Sequence, residues 1–319
     1  LRARNVNAPL PGTVDAAGRG GVRPFAGVGN IFQYESSGRF NQSQLIVSAN
    51  TRFNRAFSIF SSYTLNRARS DTDGPNSFPA NQFDLAGEYG RSSQDIRHRF
   101  FLGGSINALP WGIRLSPFVQ ASSGRPFNIT TGRDLNGDTL FNERPAFATD
   151  LSRPSVVVTE FGAFDTNPVA GQEIIPRNFG TGPSFFTVNL RVGKTFGFGE
   201  RAATGVAAAG GGGGGGGRRG GGGGRGGGGG GGGRRGGGGG GDFGGGDGGA
   251  GNSRYSLSLS ANIQNLFNRT NLGTPIGNLS SPLFGESITT AGRFGGGGGG
   301  GGNEAAGNRR VEFQLRFSF

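Results

Sequence analysis

The feature of the sequence that most constrains its fold is an alternation of apolar and polar side chains with a period of two, clearest at the end of the chain. One set of alternate positions is apolar: Val311, Phe313, Leu315, Phe317 and Phe319. The intervening positions are Arg310, Glu312, Gln314, Arg316 and Ser318. Because successive side chains of a β-strand point to opposite faces, this pattern predicts a strand with one apolar and one polar face.

The same alternation recurs upstream, in segments of roughly the ten residues that a tilted strand needs to cross a bilayer. The segments are 44–53, 57–69, 97–109, 113–121, 186–196 and 256–264, with a weaker candidate at 28–36. Ile46 and Phe60 are exceptions, because they fall among the polar positions of their segments. No apolar run reaches the roughly 18 residues of a membrane-spanning helix. The sequence therefore predicts about eight strands and no helix.

The lengths of the connections separate a membrane barrel from a soluble β-sandwich, which can alternate in the same way. Two connections are short and three are long: 54–56 and 110–112, then 70–96, 123–183 and 268–307. Outer-membrane barrels have short periplasmic turns and longer extracellular loops. Trp111 would then lie in a periplasmic turn, where an interfacial aromatic residue is expected. We predict an all-β, antiparallel transmembrane β-barrel segment in the outer membrane of a Gram-negative-type bacterium.

Two connections depart from this rule. The link between the first two predicted strands is short where a long loop is expected. Residues 197–253 are a Gly-rich tract, with five arginines between Gly210 and Gly241, in place of a tight turn. Such a tract buries too little apolar surface to fold, so we predict a disordered insertion. The chain is then predicted to have three parts. Residues 1–196 form strands and extracellular loops, residues 197–253 form the insertion, and residues 254–319 form the last two strands with the terminal assembly signal.

The net charge of +12 favours a solvated basic surface and leaves contacts with anionic lipid or nucleic acid open. The Gly/Arg-rich tract resembles disordered RNA-binding segments. It lacks interleaved aromatic residues for base stacking, so we expect no nucleic-acid partner.

The residue types exclude most catalytic chemistry. The chain has no Cys and a single His, which excludes disulfides, thiolate metal sites and most His-based constellations. His98 lies between two arginines at a predicted strand start, and we interpret it as a residue at the membrane interface. No nucleophile stands at a defensible spacing from a base, so we expect no enzyme activity.

One loop segment has the spacing of a cation site. Oxygen-bearing side chains occupy positions 1, 3 and 5 of a possible calcium loop, namely Asp134, Asn136 and Asp138. Asn142 and Glu143 follow nearby, but the sixth and twelfth positions are Thr and Pro, so the segment is not an EF-hand. Two interpretations remain: a looser calcium site in an extracellular loop, or a turn whose side chains hydrogen-bond their own backbone. We expect no other cofactor.

Five short motifs follow one another along the chain: Tyr63–Leu65 with Asp71–Gly74, Asp95–Phe100, Ser122–Phe127, Asp134–Asp138 and Asn265–Asn271, the last reading NLFNRTN. In order and spacing they resemble the C-terminal barrel of TonB-dependent outer-membrane receptors. Within that family they resemble the Oar-like group, whose members carry a carboxypeptidase-regulatory-like N-terminal domain. The resemblance covers nearly the whole chain except the Gly-rich tract.

The resemblance implies a barrel of roughly 22 strands with an N-terminal plug, to which this chain would contribute about eight strands. It implies import of a scarce ligand, such as an iron chelate, cobalamin, a glycan or a peptide. The implied partners are outer-membrane lipid, the barrel-assembly machinery, the TonB energy-coupling complex and an unidentified small-molecule, glycan or peptide ligand. The plug and the energy-coupling segment are not recognisable here and the chain opens at Leu1 rather than Met, so we expect a processed or truncated product.

Four arginines on polar strand faces are candidates for the lumen: Arg52, Arg191, Arg310 and Arg316. They could meet plug carboxylates or an anionic ligand, or they could simply line a water-filled lumen. Two other functions also remain open. One is a structural or adhesive outer-membrane barrel without active transport, and the other is a soluble, basic β-protein that binds nucleic acid.

The alternating apolar residues that end in Phe319 resemble the signal read by the barrel-assembly machinery. Deletion of Phe319 is therefore expected to impair outer-membrane assembly, measured as loss of the heat-modifiable folded band in membrane fractions. A normal heat-modifiable band in the deletion variant would contradict the assignment of a terminal signal.

Overall fold

Fifteen β-strands and two short 3-10 helices form the regular structure of residues 1–15, 17–54, 56–200, 253–291 and 307–319, which the computed structural model describes. The strands are β1 (Arg2–Asn5), β2 (Phe32–Glu35), β3 (Phe40–Arg52), β4 (Phe57–Ser70), β5 (Gly90–Arg91), β6 (His98–Ile106), β7 (Ile113–Ser122), β8 (Pro126–Phe127), β9 (Ala146–Phe147), β10 (Val156–Thr159), β11 (Gly162–Asp165), β12 (Gly180–Thr181), β13 (Phe185–Glu200), β14 (Ser253–Gln264) and β15 (Arg310–Ser318). The 3-10 helices are Ala86–Glu88 and Pro110–Gly112. Among the described residues, no helix is long and apolar enough to span a membrane.

Seven long strands form one sheet in the order β15-β14-β13-β7-β6-β4-β3, and β5 pairs with the end of β4. The pairs β3–β4, β4–β6, β6–β7 and β7–β13 are antiparallel. Each of the seven falls on a segment with clear alternation, so the all-β, antiparallel prediction is confirmed. Strand β13 continues to Glu200, which makes 197–200 strand rather than insertion. The predicted disorder of the remaining insertion concerns residues 201–252, which lie outside the described residues.

The weak strand candidate at 28–36 contains a strand but does not join this sheet, so its assignment to the barrel was wrong. Only Phe32–Glu35 is extended, and it pairs with β1 in a separate two-stranded sheet. Gly27 has a φ of 76°, and the chain before Phe32 is held by side chains such as Asn7, whose amide nitrogen donates to the carbonyl of Gly29 at 2.8 Å. The segment is therefore too short and too irregular to cross a bilayer.

At the loop end of β4 the two faces of the strand are buried in the opposite sense to a soluble protein, whereas β3 and β15 are exposed on both faces. On β4, the apolar side chains of Tyr63 and Leu65 are more than a third exposed, while Asn66 and Ser70 on the other face are 1% exposed. The register places Leu45 opposite Leu65 on the exposed face. An apolar exposed face and a polar enclosed face are what a strand in lipid requires.

Phe60, which breaks the alternation, is explained by a glycine. It lies on the polar face directly opposite Gly103, where a Cβ atom would come within 2.3 Å of the phenylalanine ring. The ring is also 6.5 Å from that of Phe118, which is on the same face of β7. A large residue is accommodated because its cross-strand neighbour has no side chain. Ile46 shares this face on β3 and is exposed.

The long connections leave the sheet at one end, since Ser70 pairs with Phe40, and Ser122 pairs with both Arg99 and Phe185. We call residues 1–39, 71–97, 123–184 and 265–291 the loop layer. It contains the small sheets β1–β2, β9–β11–β10 and β8–β12. It also contains a cluster of buried apolar side chains, formed by Phe127, Ile129, Phe164, Ile175 and Leu279. The hydrophobic core of this protein therefore lies in its loops.

Contacts divide the chain into two compact units: Leu1–Lys194 with Leu259–Leu315, and Thr195–Ser258 with Arg316–Phe319. Within the second unit, the rings of Phe198 and Tyr255 stack at 5.9 Å, and those of Tyr255 and Phe317 at 6.1 Å. Clustered aromatic rings are typical of the girdles at the membrane interfaces of barrels.

Ser61 and Ser62 are adjacent, identical residues on opposite faces of β4, which makes them a matched test of the assignment of faces. Ser61 lies opposite Leu102 on the apolar face, and Ser62 lies opposite Ser48 on the polar face, with the two hydroxyl oxygens 3.2 Å apart. We expect S61R to lower the free energy of unfolding by about 2–4 kcal/mol, because it exposes a charge to lipid. S62R should cost less than about 1 kcal/mol, roughly the lost hydrogen bond. Denaturant unfolding of the lipid-embedded protein measures both, and equal costs would contradict the assignment.

Candidate functional site

A buried network of charges ties the loop layer together. Both terminal nitrogens of Arg144 donate to the carboxylate of Glu88, at 3.1 and 2.9 Å. The Nη1 of Arg177 lies 3.7 Å from the same carboxylate, and its Nη2 donates to Asp73 at 2.9 Å. Arg144, Glu88 and Arg177 are each at most 8% exposed. Two cations thus balance two anions, which a buried ionic group requires.

Asp73 belongs to the motif Asp71–Gly74, and its neighbours account for its charge state. Burial acts to raise the pKa of Asp73, but the charge of Arg177 and hydrogen bonds from Ser93 and Asn178 outweigh it and lower the pKa. Asn178 donates from its side chain both to Asp73 at 3.1 Å and to the carbonyl of Arg91 at 2.8 Å. The aspartate therefore stays ionised and joins three separate loop segments.

Two cavities lie along this network. One has a volume of about 430 Å³ and is lined by the N-terminal segment around Leu10, by Ala80–Asp84, and by Leu135 and Glu143. The other has a volume of about 340 Å³ and is lined by Asp73, Asn128, Asn142, Arg177 and their neighbours. Ala80, Glu88 and Arg144 line both cavities. Volumes of this order suit small molecules or single side chains of a peptide.

The segment around Asp134, predicted as a calcium loop or a turn, forms a turn with side chains bound to their own backbone. The carboxylate of Asp134 accepts from the amides of Asp138 at 3.1 Å and Thr139 at 2.9 Å. Asn136 Oδ1 also accepts from the Asp138 amide, at 2.9 Å. Asn136 donates to the carbonyl of Ala80 at 3.0 Å, so the turn is docked against the wall of the larger cavity.

A third carboxylate joins the turn. One oxygen atom from each of Asp134, Asp138 and Glu143 lies within 4.8 Å of the others. Burial and the charges of Asp138 and Asp134 raise the pKa of Glu143 to about 7, and burial raises the pKa of Asp138. The local environment therefore disfavours a negative charge on Glu143 and on Asp138.

The motif NLFNRTN has a structural role at the end of β14. The backbone amide of Asn265 donates to Asn189 Oδ1 at 2.9 Å, and its side chain donates to the carbonyl of Arg269 at 2.9 Å. Asn271 Oδ1 accepts from the amide of Phe186 at 2.8 Å. Asn265 has a φ of 50°, a left-handed conformation that Asn adopts more readily than most residues. The motif fastens the chain leaving β14 to the start of β13.

The four arginines predicted to face the lumen are spread over separate strands. Arg52 lies opposite Ser58, and Arg191 lies opposite Ser116, in both cases on the polar face of the sheet. Arg310 Nε is 2.9 Å from Glu312 on its own strand, and Arg316 belongs to the second unit. The structure does not gather them into one site, and their lumenal role stays a prediction.

The apolar residues of the predicted assembly signal are all exposed: Val311, Phe313, Leu315, Phe317 and Phe319.

The ion pairs of the buried network could not be predicted from the sequence. Glu88, Arg144 and Arg177 are single loop residues far apart in the chain, and such pairs leave no periodic signal. Glu143 follows Asp138 by five residues, and this short spacing is the sequence signal that places Glu143 near the other two acids.

His98 is exposed on β6, and its Nδ1 atom lies 2.8 Å from the hydroxyl oxygen of Tyr63.

Comparison with known proteins gives one match. Residues 1–206 match the family model described as an outer membrane beta barrel domain, which is more than half of the chain and includes all of β1 to β13. No curated protein and no solved structure matches the chain significantly.

Arg144 offers a test of the buried network. R144A leaves the Glu88 carboxylate buried with its main partner removed, which is expected to cost about 3–5 kcal/mol in the opening free energy of the loop layer. The matched control is R19A, which removes an exposed ion pair with Asp15 and should leave the protection of the loop layer close to that of the wild type. Hydrogen exchange of residues 80–91 in the detergent-solubilised protein measures both effects. Equal protection in the two variants would show that the network does not hold the loops.

Proposed function

This chain belongs to the outer membrane β-barrel domain family, and we propose that it is part of a TonB-dependent receptor that binds a scarce ligand in its loop layer and imports it. Membership of the family implies location in the bacterial outer membrane. The exposed apolar side chains of β3 and β4, such as Leu45, Tyr63 and Leu65, accordingly meet lipid.

The observation that carries the proposal is the pair of cavities in a loop layer with its own core. Loops that serve only to connect strands have no need of a packed apolar cluster such as Phe127, Ile129 and Phe164. Here the loops are ordered by that cluster and by the network of Arg144, and they line cavities whose walls combine apolar side chains with charged and polar ones. Binding sites combine concave apolar walls with a few placed polar groups in this way.

The order of strands supports a role as part of a larger barrel. In the described residues, the sheet order ends at β3 on one side and at β15 on the other. An unpaired strand edge in lipid leaves backbone groups without hydrogen bonds, which costs several kcal/mol per group. A receptor that supplies further strands to both edges would remove this cost. Energy coupling to the TonB complex and closure by a plug would depend on parts of the protein outside this chain.

The resemblance of the motifs supports the same proposal. Asp95–Phe100 and Asn265–Asn271, which resemble Oar-like receptors, contribute buried side chains to the loop layer or to its junction with the sheet, and Asp71–Gly74 contributes the ion pair of Asp73 with Arg177. Asp95, for example, is buried and accepts from the backbone amide of Ala68 at 2.8 Å. We propose binding and transport without covalent chemistry, with the barrel-assembly machinery as a further partner during insertion.

Uptake by a deletion strain tests the proposal. The strain is complemented with the wild-type gene, with A80W or with L151W, and is supplied with labelled ferric chelates, cobalamin, oligosaccharides and short peptides. Ala80 lines both cavities, so a tryptophan there should reduce uptake of the recognised probe by about tenfold or more. Leu151 is exposed, outside the residues lining either cavity, and L151W should behave as wild type.

Assembly of each variant is checked by heat modifiability, so that a folding defect is not mistaken for a transport defect. Equal uptake of all four probe classes with and without the gene would contradict import. If the same deletion strain also lost attachment to surfaces, the result would favour a structural or adhesive barrel instead.

A further inference from the structure

We propose that Asp134, Asp138 and Glu143 bind a calcium ion in the loop layer. This inference is independent of import, because it concerns a cation held by the loops themselves. It rests on the geometry of the three carboxylates, on an unpartnered buried oxygen, and on the loop's contacts with the larger cavity.

The geometry fits a calcium ion. Calcium binds oxygen ligands at about 2.3–2.6 Å, so two oxygens on opposite sides of the ion are separated by roughly 4.6–5.2 Å. The three carboxylate oxygens here all lie within 4.8 Å of one another. Separations within 4.8 Å are therefore compatible with three oxygens bound to one calcium ion.

The second, independent observation is the buried carboxylate oxygen of Glu143 that has no hydrogen-bond partner. Its side chain is 8% exposed, and its Oε2 atom is buried without a hydrogen-bond partner. Its Oε1 atom accepts from the amide of Leu135 at 3.2 Å. A buried carboxylate oxygen without a partner is strongly unfavourable, and a cation among the three carboxylates would compensate it.

The charge balance points the same way. In the part of the chain that the structure describes, no salt bridge reaches Asp134, Asp138 or Glu143, whereas the nearby Glu88 is paired with Arg144. The three acids therefore repel one another without a compensating side chain.

The backbone of the turn holds the ligands in place and leaves them available. Asp134 and Asp138 accept hydrogen bonds from the amides of Thr139 and Leu140, both at 2.9 Å. Gln82 Nε2 donates to Asp138 Oδ2 at 3.0 Å. A carboxylate has about four lone-pair sites, so each still has room for a cation. The predicted ligand set is thus revised: Glu143 joins Asp134 and Asp138, while Asn136 ties the turn to Ala80.

Binding would fix one wall of the larger cavity. Leu135, Asn136 and Glu143 line that cavity, and the turn contacts the opposite segment through Ala80 and Gln82. A calcium ion held by residues 134–143 would lock these segments together. The ion would act as a structural clamp beside the cavity.

The test is calcium titration of the full-length protein purified in detergent and stripped with a chelator. We expect isothermal calorimetry to give a dissociation constant of about 1 mM or tighter, the range of extracellular calcium modules. E143Q should weaken binding at least tenfold, and D134N provides a second variant in case E143Q misfolds. The matched control is E160Q, since Glu160 is an exposed acid between β10 and β11, and it should bind as wild type.

Hydrogen exchange locates the site. Addition of calcium to the wild-type protein should increase protection of residues 134–143, and it should not do so in E143Q. No binding by wild type up to about 10 mM calcium, or equal binding by E143Q, would overturn the proposal. Tighter binding of magnesium than calcium would overturn the assignment of the ion.

Discussion

Hydrocarbon is a solvent that offers no hydrogen bonds, and most of this structure follows from that constraint. Every backbone group within the bilayer must pair inside the protein, so the chain crosses as hydrogen-bonded strands. The side chains that meet lipid must be apolar, and Leu45, Tyr63 and Leu65 accordingly lie on the exposed face. Because apolar residues of the sheet are used to face lipid, the sheet supplies little of the buried apolar core, which lies in the loop layer around Phe164 and Ile175.

The loop layer has a different problem, since it must hold long irregular segments in water. It combines the small apolar core with paired charges such as Arg144 and Glu88, and with asparagines that bond neighbouring backbone. Buried charges add little net stability, but an incorrect arrangement leaves them unpaired at high cost. They therefore favour one arrangement of the loops. The three unpaired acids around Glu143 are the exception, and for that reason they are the candidate site for a cation.

The strands could be predicted from the sequence because their signal is local and repetitive. All seven long strands were found by alternation, and the lengths of the connections correctly indicated which end of the sheet carries the loops. The exception at Phe60 depends on Gly103 across the sheet, and pairing between strands is not visible in one segment alone. The segment at 28–36 failed because a short alternating run does not show how irregular its flanks are. The candidate cation site was found only in part, through Asp134 and Asp138. The network of Glu88, Arg144 and Arg177 was missed, because the pairing of distant loop residues is a property of the folded chain.

The tract between β13 and β14 shows how unevenly the two ends of such a protein can change over evolution. Roughly fifty residues separate these neighbouring strands where a tight turn would suffice. In general, the entropy of closing a flexible loop grows only with the logarithm of its length, so a fifty-residue flexible loop costs on the order of 2.5 kcal/mol more than a three-residue turn. A connection at this end of the sheet can therefore lengthen at small cost while the paired strands stay in register. At the loop end, the buried charges and core of the connections would oppose an insertion of the same length. The connections of the loop layer are thus expected to keep their lengths more strictly than the connection between β13 and β14.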